Sequence, residues 1–344
     1  FSTCDFVLKT LSKISRMLIQ MDRLTNLPSQ IIRIILGFLP LSDAVRTSVL
    51  SRAWRYRWNE MQQLVFDSGF VVELAGRIKP LEPHRIVDII LSDVLLFHSG
   101  TIEKFYLSLP PLKSYRSLDR IIRFIAIKGV RDLSLLMSTE KFKFPFCDLP
   151  SVLFLNSHLQ SLNLSSFIFR VPSSFTGFAK IVNLNFFNVL IESSFFKSFI
   201  GKCPNLRKIV MLKCISNSGC IIDIYAPHLE YFHYEGSYES VCFRNVPKLK
   251  KVYLFGESGN CKALKFSPPI RHLRALTHLS IDFQFLNCFQ KPNLPAIRAG
   301  YLVSLVSLKA HHVPLEHENA LMSLFQLIKH SPNLERLEIE GMAT

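Results

Sequence analysis

Residues 203–211 read CPNLRKIVM, and residues 331–339 read SPNLERLEI: the same short phrase, written twice. In each, a Pro-Asn turn marker precedes apolar residues at the first, fourth and sixth positions, Leu206-Ile209-Met211 and Leu334-Leu337-Ile339. Proline blocks helix continuation and returns the chain to extended geometry. The phrase therefore predicts a turn leading into a short strand whose apolar residues share one face, with the intervening residues on the other.

The template recurs at Ile102-Phe105-Leu107, Val130-Leu133-Leu135, Leu159-Leu162-Leu164, Ile181-Leu184-Phe186, Leu229-Phe232-Tyr234, Leu249-Val252-Leu254, Leu276-Leu279-Ile281 and Leu305-Leu308-Ala310. Successive starts lie 20 to 29 residues apart, in or near the period of leucine-rich repeats, where each unit is one strand plus a return segment. The uneven spacing predicts a degenerate solenoid, and in a Leu- and Phe-rich chain a few of the ten matches are expected by chance. One such unit cannot bury its own face, so the array should behave as a single domain. Helical returns are expected at 86–96, 118–127, 195–200 and 317–329, the last carrying an apolar stripe at Ala320, Leu321, Leu324, Phe325 and Ile328. The fold class is thus α/β: a curved parallel sheet with helical or irregular returns, behind a small helical module.

In the strand template the residues between the apolar positions line an open face. These run Gln160, Ser161, Asn163; Val182, Asn183, Asn185; Arg207, Lys208, Val210; Glu230, Tyr231, His233; Lys250, Lys251, Tyr253; Thr277, His278, Ser280. The middle is basic and aromatic: residues 200–275 hold twelve Lys/Arg against five Asp/Glu, a net of +7. Arg207, Lys208, Tyr231, His233, Lys250, Lys251 and Tyr253 are the candidate face for an acidic or phosphorylated protein segment; an ordinary solvated sheet face is the bland alternative.

The N-terminal stretch Leu27–Trp58, LPSQIIRIILGFLPLSDAVRTSVLSRAWRYRW, is a different kind of text. Leu27-Pro28 opens a helix, Ile31, Ile32, Ile34, Ile35, Phe38 and Leu39 follow at helical spacing, and Pro40 ends it. Ser42 is a plausible N-cap for a second helix, with Asp43 near the positive end of its dipole. Trp54 and Trp58, four apart, suggest one side of a third helical segment. Three short helices bury little area alone, so such a module should leave apolar anchors for a partner or for the array. Trp54 is expected to face the partner, and Trp58 to pack on the array with Met61, Leu64 and Phe66.

Residues 22–58 resemble the F-box of plant F-box/leucine-rich-repeat proteins. The match lies on Leu27-Pro28, Ile31, Ile34-Ile35-Leu36, Phe38-Leu39-Pro40, Asp43 to Ser51, Trp54-Arg55 and Trp58. Ser29, Ala53 and Arg57 depart from the usual residues. The tail ALMSLFQLIKHSPNLERLEIEG, residues 320–341, resembles the start of the FBD region that closes many of those proteins. The resemblance implies a substrate-receptor subunit of an SCF-type ubiquitin ligase. Its F-box would bind a Skp-type adaptor, and through it a cullin, with Leu27, Pro28, Ile31, Ile34, Leu39, Pro40, Leu50 and Trp54 as contacts. The expected layout is a leader over 1–20 (poorly ordered or not native, with Met21 a sensible start), an F-box over 21–66 and a solenoid over 67–330. An incomplete FBD-like region over 317–344 closes it.

Composition narrows the alternatives. The formal charge of +15 raises nucleic acid as a partner, but the basic residues are scattered, with no zinc-finger spacing, RRM signature or basic helix. The eight cysteines form no C-x-x-C pair, which favours a reducing, intracellular compartment (nucleus or cytoplasm) and buried structural thiols. The uncharged run 149–169 holds Pro, His, Asn and Gln, so no membrane span is expected. No phosphate loop, nucleophile elbow or zinc-protease signature occurs, and His311-His312 with Glu316, His317 and Glu318 reads as a solvated loop rather than a metal site. No catalytic residue, metal or cofactor is expected. The alternatives to the ligase reading are a repeat scaffold without a ligase role and, behind it, a basic nucleic-acid-associated protein.

Overall fold

The computed structural model describes residues 27–77, 82–110, 115, 117–137, 146–192, 194–216, 221–236, 240–256, 273–283, 286, 302–314, 316 and 318–341. The expected leader lies outside the described residues.

All ten template matches are strands of one parallel sheet. Its main path is β1 (Gln63–Phe66), β2 (Lys104–Leu109), β3 (Asp132–Met137), β5 (Ser161–Ser165), β7 (Asn183–Phe187), β9 (Lys208–Ser216), β11 (Tyr231–Gly236), β13 (Lys251–Gly256), β14 (His278–Asp282), β15 (Ser307–Val313) and β16 (Arg336–Gly341). The short strands β4 (Cys147–Asp148), β6 (Phe167–Phe169) and β8 (Leu190–Ile191) branch from it, and β10 (Ile221–Tyr225) pairs with β12 (Ser240–Asn245) as a second small sheet. Register is kept from end to end. Leu64, Phe105, Leu133, Leu162, Leu184, Ile209, Phe232, Val252, Leu279, Leu308 and Leu337 stand in one row. A one-residue slip anywhere would turn a row of buried leucines outward, which is why the pattern holds the register.

In the first nine matches all three template residues are buried, none above 7% exposed. The tenth differs: Leu337 and Ile339 are each 42% exposed, and among the described residues β16 is the sheet's edge with no element over its inner face. The sheet also starts earlier than the spacing predicted. Met61, Leu64 and Phe66 satisfy the same template and are buried, so β1 lies inside the span expected for the helical module, and β16 carries the solenoid past residue 330 to Gly341.

A common turn precedes the later strands. The N–H of Leu206, Leu229, Leu249, Leu276, Leu305 and Leu334 each donates to the carbonyl three residues back, at 3.0–3.3 Å. That earlier residue is buried every time (Cys203, Ala226, Val246, Leu273, Leu302, Ser331). Asn205 and Asn333, each following a turn proline, donate from their side chains to the carbonyls of Ala179 and Val303 in the preceding coil.

The return segments follow the available length. Helices span Pro83–Ile89 (continuing as one π-turn, Ile90–Leu95), Leu118–Ile127, Phe195–Ser198 and Glu318–Lys329, as the periodicity predicts. The interval from Leu206 to Leu229 uses β10 and that from Leu229 to Leu249 uses β12, with no helix among the described residues. A further helix, Ser68–Arg77, was not anticipated; Asp67 Oδ1 caps it by accepting from the Phe70 N–H at 2.9 Å. The middle of the solenoid is filled by phenylalanine. Phe154, Phe169, Phe175, Phe178, Phe195 and Phe199 are all buried, with ring centroids of neighbouring pairs 5.0–6.5 Å apart.

The helical module departs from expectation in two places. Its second helix is Leu41–Arg46, flanked by Pro40 with no side-chain cap, so Ser42 lies inside the helix rather than capping it. The third helix is absent: after turns, a 3-10 segment Arg57–Glu60 follows Tyr56, whose φ of 65° is left-handed and interrupts any helix joining the two tryptophans.

Candidate functional site

The helix Ser29–Gly37 is apolar on two faces. Ile32 and Leu36 are buried against the rest of the module, while Ile31 and Ile34, with Phe38 just beyond the helix end, stand at i, i+3, i+7 and are 41%, 56% and 84% exposed. Val45, Val49 and Leu50 continue the bare surface through the second helix and the turn after it. Between Gln30, Arg33, Ile34, Gly37 and Phe38 on one side and Glu60 to Gln63 on the other lies a cleft of about 400 Å³. Clustered exposed Ile, Phe, Val and Leu side chains mark a surface built to be covered.

Of the expected adaptor contacts, Ile31, Ile34, Leu50, Pro28 and Pro40 are exposed, and Leu27 and Leu39 are half-buried. Trp54 is not available: it is 2% exposed, and Trp58 is buried as well, at 8%. The outward role expected of Trp54 does not fit this burial, and Trp58, with Met61, Leu64 and Phe66, is buried too. Residues 52–56 are turns, with Tyr56 left-handed, so the four-residue spacing does not set a common helical face. Phe38, Val45 and Val49 are the exposed residues that the contact prediction left out, although Phe38 continues the Ile31–Ile34 spacing.

The module is fastened to the first coils. Ser99 and Gly100 N–H donate to the Asn59 carbonyl, Glu103 N–H donates to Gln62 and Lys128 Nζ donates to the His98 carbonyl. A Cβ on Gly100 would meet the Glu60 backbone at 3.1 Å, so the close approach there calls for glycine. His98 is 4% exposed, its Nε2 2.7 Å from the Met61 carbonyl and its Nδ1 without a partner. Burial, assisted by the nearby Lys128 charge, lowers its pKa from the ordinary 6.5. The folded chain thus refuses a proton that the unfolded chain accepts once pH falls below about 6.5. Stability is full above that pH and declines as the medium becomes more acid. Urea unfolding at pH 7 and pH 5 should show this decline. It should be smaller in His98→Gln, whose amide keeps a donor for Met61 but cannot titrate; an equal decline in both chains would place the titration elsewhere.

The second surface is the open face of the sheet, and it changes character along its length. From β3 to β7 it is a neutral polar ladder: Asn185 Nδ2 donates to Asn163 Oδ1 at 2.6 Å, and Asn163 Nδ2 donates to Ser134 Oγ at 2.8 Å. From β9 to β14 it becomes aromatic. Ring centroids run Tyr231–Tyr253 5.3 Å, Tyr253–His233 5.2 Å and His233–Phe255 5.7 Å, ending at His311, 5.1 Å from Phe255. Lys208 Nζ lies 5.2 Å from the Tyr231 ring centre. The seven predicted face residues are thus brought together on β9, β11, β13 and the residues just before them. Arg207 and Lys250 share Glu230, each at 3.8 Å, an exposed and therefore weak pairing.

At the far end, Ser280 Oγ lies 3.0 Å from His311 Nε2, and His311 Nδ1 lies 2.6 Å from Glu340 Oε2, with Lys309 2.7 Å from the same carboxylate. His311 is therefore tied into the sheet face rather than loose in a solvated loop. The order hydroxyl–imidazole–carboxylate is that of a nucleophile, base and orienting group. Ser280, however, is buried at 6% exposure within the sheet, and the chain of bonds is a strand-to-strand ladder like that of Ser134, Asn163 and Asn185. His312, Glu316 and Glu318 are exposed, His317 lies outside the described residues, and no metal-binding cluster occurs among the described residues. Cys147 and Cys203 are buried, and burial pushes both thiols up to about 12, so they are packing groups rather than nucleophiles. Among the described residues no helix is long and apolar enough to cross a membrane.

Comparison with known proteins finds matches to both parts of the chain. The F-box domain profile matches residues 24–64, and the profile described as FBD-associated F-box protein At5g56370, LRR repeats, matches residues 118–339. The F-box/FBD/LRR-repeat protein At1g13570 of Arabidopsis thaliana is 28% identical over 335 residues, covering 93% of this chain and 76% of the relative. The F-box/LRR-repeat protein At3g03360 of the same plant is 23% identical over 365 residues, covering 94% and 71%.

Proposed function

We propose, from the premise that this chain belongs to the FBD-associated F-box/leucine-rich-repeat family, that it is the substrate-recognition subunit of an SCF-type cullin ubiquitin ligase, working in the nucleus or cytoplasm. The observation that carries the reading is the helix Ser29–Gly37, which buries one apolar face in its own module and leaves Ile31, Ile34 and the adjoining Phe38 bare. A Skp-type adaptor is the partner that F-box domains generally take, and these residues are its proposed seat. The solenoid's open face holds the client. The chain supplies no bond-making chemistry; it keeps the client beside a ubiquitin-charged enzyme and so raises the effective concentration of the acceptor lysine.

The test is co-expression of the full chain with a Skp-type adaptor, followed by gel filtration. A stable complex is expected. A folded chain that elutes alone removes the ligase role and leaves the scaffold reading, in which the solenoid binds proteins without delivering them.

A further inference from the structure

We propose that the client's contribution to this interface is an extended acidic segment, whose carboxylates lie along the lip formed by Arg207, Lys208, Lys250 and Lys251 and whose neighbouring aromatic or aliphatic side chain rests on Tyr253 and Phe255. The proposal rests on the reading of the solenoid as the client-binding half and names the chemistry it selects.

Three observations fit this occupant. First, the pairing register puts Lys208, Tyr231 and Lys251 side by side on β9, β11 and β13, with Arg207, Glu230 and Lys250 one residue earlier. Four cations face a single carboxylate, a net of +3 along one edge, and Lys208, Lys250 and Lys251 are exposed. Secondly, Arg207 and Lys250 already converge on Glu230, which leaves Lys208 and Lys251 as a separated pair rather than a focused one. Lys208 and Lys251 are two strands apart, roughly 9.5 Å at the strand spacing, with the Tyr231 ring between them. A single phosphoryl group would need cations converging on one point. Carboxylates on one side of an extended segment recur about every 6.8 Å, a spacing that long, flexible lysine side chains on separate strands can reach. Thirdly, the floor beside the lip is half-buried and carries no net charge: His233 and Tyr253 face each other across adjacent strands, with Phe255 next to them. Burial lowers the pKa of His233, which leaves the ring neutral, and its Nε2 is covered. Such a floor takes an apolar or aromatic side chain and offers a second charge nothing. Beyond it, Glu235 stands on the opposite side of the floor from the lysines, so an acidic segment is accepted along one edge and turned away from the other.

The experiment uses the full chain in complex with its adaptor and a short dye-labelled peptide alternating Glu and Phe, with Gln/Phe and phosphoserine/Phe versions of the same length. Fluorescence anisotropy is expected to show binding of the Glu/Phe peptide, with the Gln/Phe version weaker by roughly tenfold or more. Lys208→Glu with Lys251→Glu, and separately Tyr253→Ala, should each weaken the Glu/Phe peptide by a similar factor. Lys197→Glu, an exposed charge on the helix Phe195–Ser198 behind the sheet, should not. Equal binding of the Glu and Gln peptides, or no effect of the Lys208/Lys251 reversal, overturns the proposal. Binding of the phosphoserine peptide alone overturns the carboxylate assignment. Adaptor retention, measured on the same samples, separates failure here from failure of the ligase reading.

Discussion

Phe38→Asp is expected to abolish co-purification with a Skp-type adaptor while leaving the thermal unfolding of the free chain unchanged. Phe38 is 84% exposed, so the folded chain loses no packing when the ring is removed. In the complex the change acts twice. Burying a phenylalanine side chain contributes about 1.5–3 kcal/mol, and a carboxylate left in the same apolar contact costs several more. A weakening of roughly 100-fold or more is therefore expected, about 2.7 kcal/mol at the least. Ile34→Asp should act in the same direction. Trp54→Ala is the contrasting case: the ring is 2% exposed, and its loss should cost about 3–5 kcal/mol of module stability, visible as a lowered Tm before any adaptor is added. Wild-type affinity in Phe38→Asp would remove this face from the interface. Loss of binding in Trp54→Ala at an unchanged Tm would return Trp54 to it.

Phe199→Ala is expected to destabilise the solenoid by about 3–5 kcal/mol in urea unfolding. Its ring is fully buried and lies within 5.0–6.5 Å of Phe154, Phe169, Phe175, Phe178 and Phe195, so five aromatic contacts and the surrounding apolar packing go with it. Whole-domain stabilities are about 5–15 kcal/mol, so one substitution removes a large share. Because each coil rests only on its neighbours, the loss should appear as a broader or two-step transition, with the array separating at the middle coils. A single unshifted transition would mean that these rings pack loosely enough to be spared. Phe325→Ala, which removes a 62% exposed ring from the last helix, is the control and should change little.

The strands were legible because a strand's side chains alternate, and a buried row can be read one residue at a time. That reading placed all ten later strands of the main path and their register, down to the helix Leu118–Ile127, whose apolar residues Ile121, Ile122 and Ile125 line one side. β1 is the exception, because Met61-Leu64-Phe66 stands well before Ile102 and inside the span expected for the helical module. The helix Ser68–Arg77 is another, although Asp67 carries the capping signal.

The bare face of the module was legible in part. Ile31 and Ile34 stand bare as their spacing suggests, because the opposite face, Ile32 and Leu36, claims the core. Trp54, which the resemblance places among the contacts, is buried, and the turns over 52–56 with the left-handed Tyr56 give the two tryptophans no shared helical face. On the open face, the sequence named the seven residues but not their company. That Glu230 lies between Arg207 and Lys250, that Lys208 covers Tyr231, and that His311 is held by Ser280 and Glu340 all depend on which strands become neighbours.

By itself, then, the sequence determined the repeat, its strands, their inward residues and a module with apolar side chains to spare, because each follows from local period and turn chemistry. The tertiary structure alone decided which of those side chains remain bare, which charges offset one another and where the sheet's inner face lies open at Leu337 and Ile339. Exposure and pairing belong to contacts between coils 20 to 29 residues apart, and no window of sequence contains both partners.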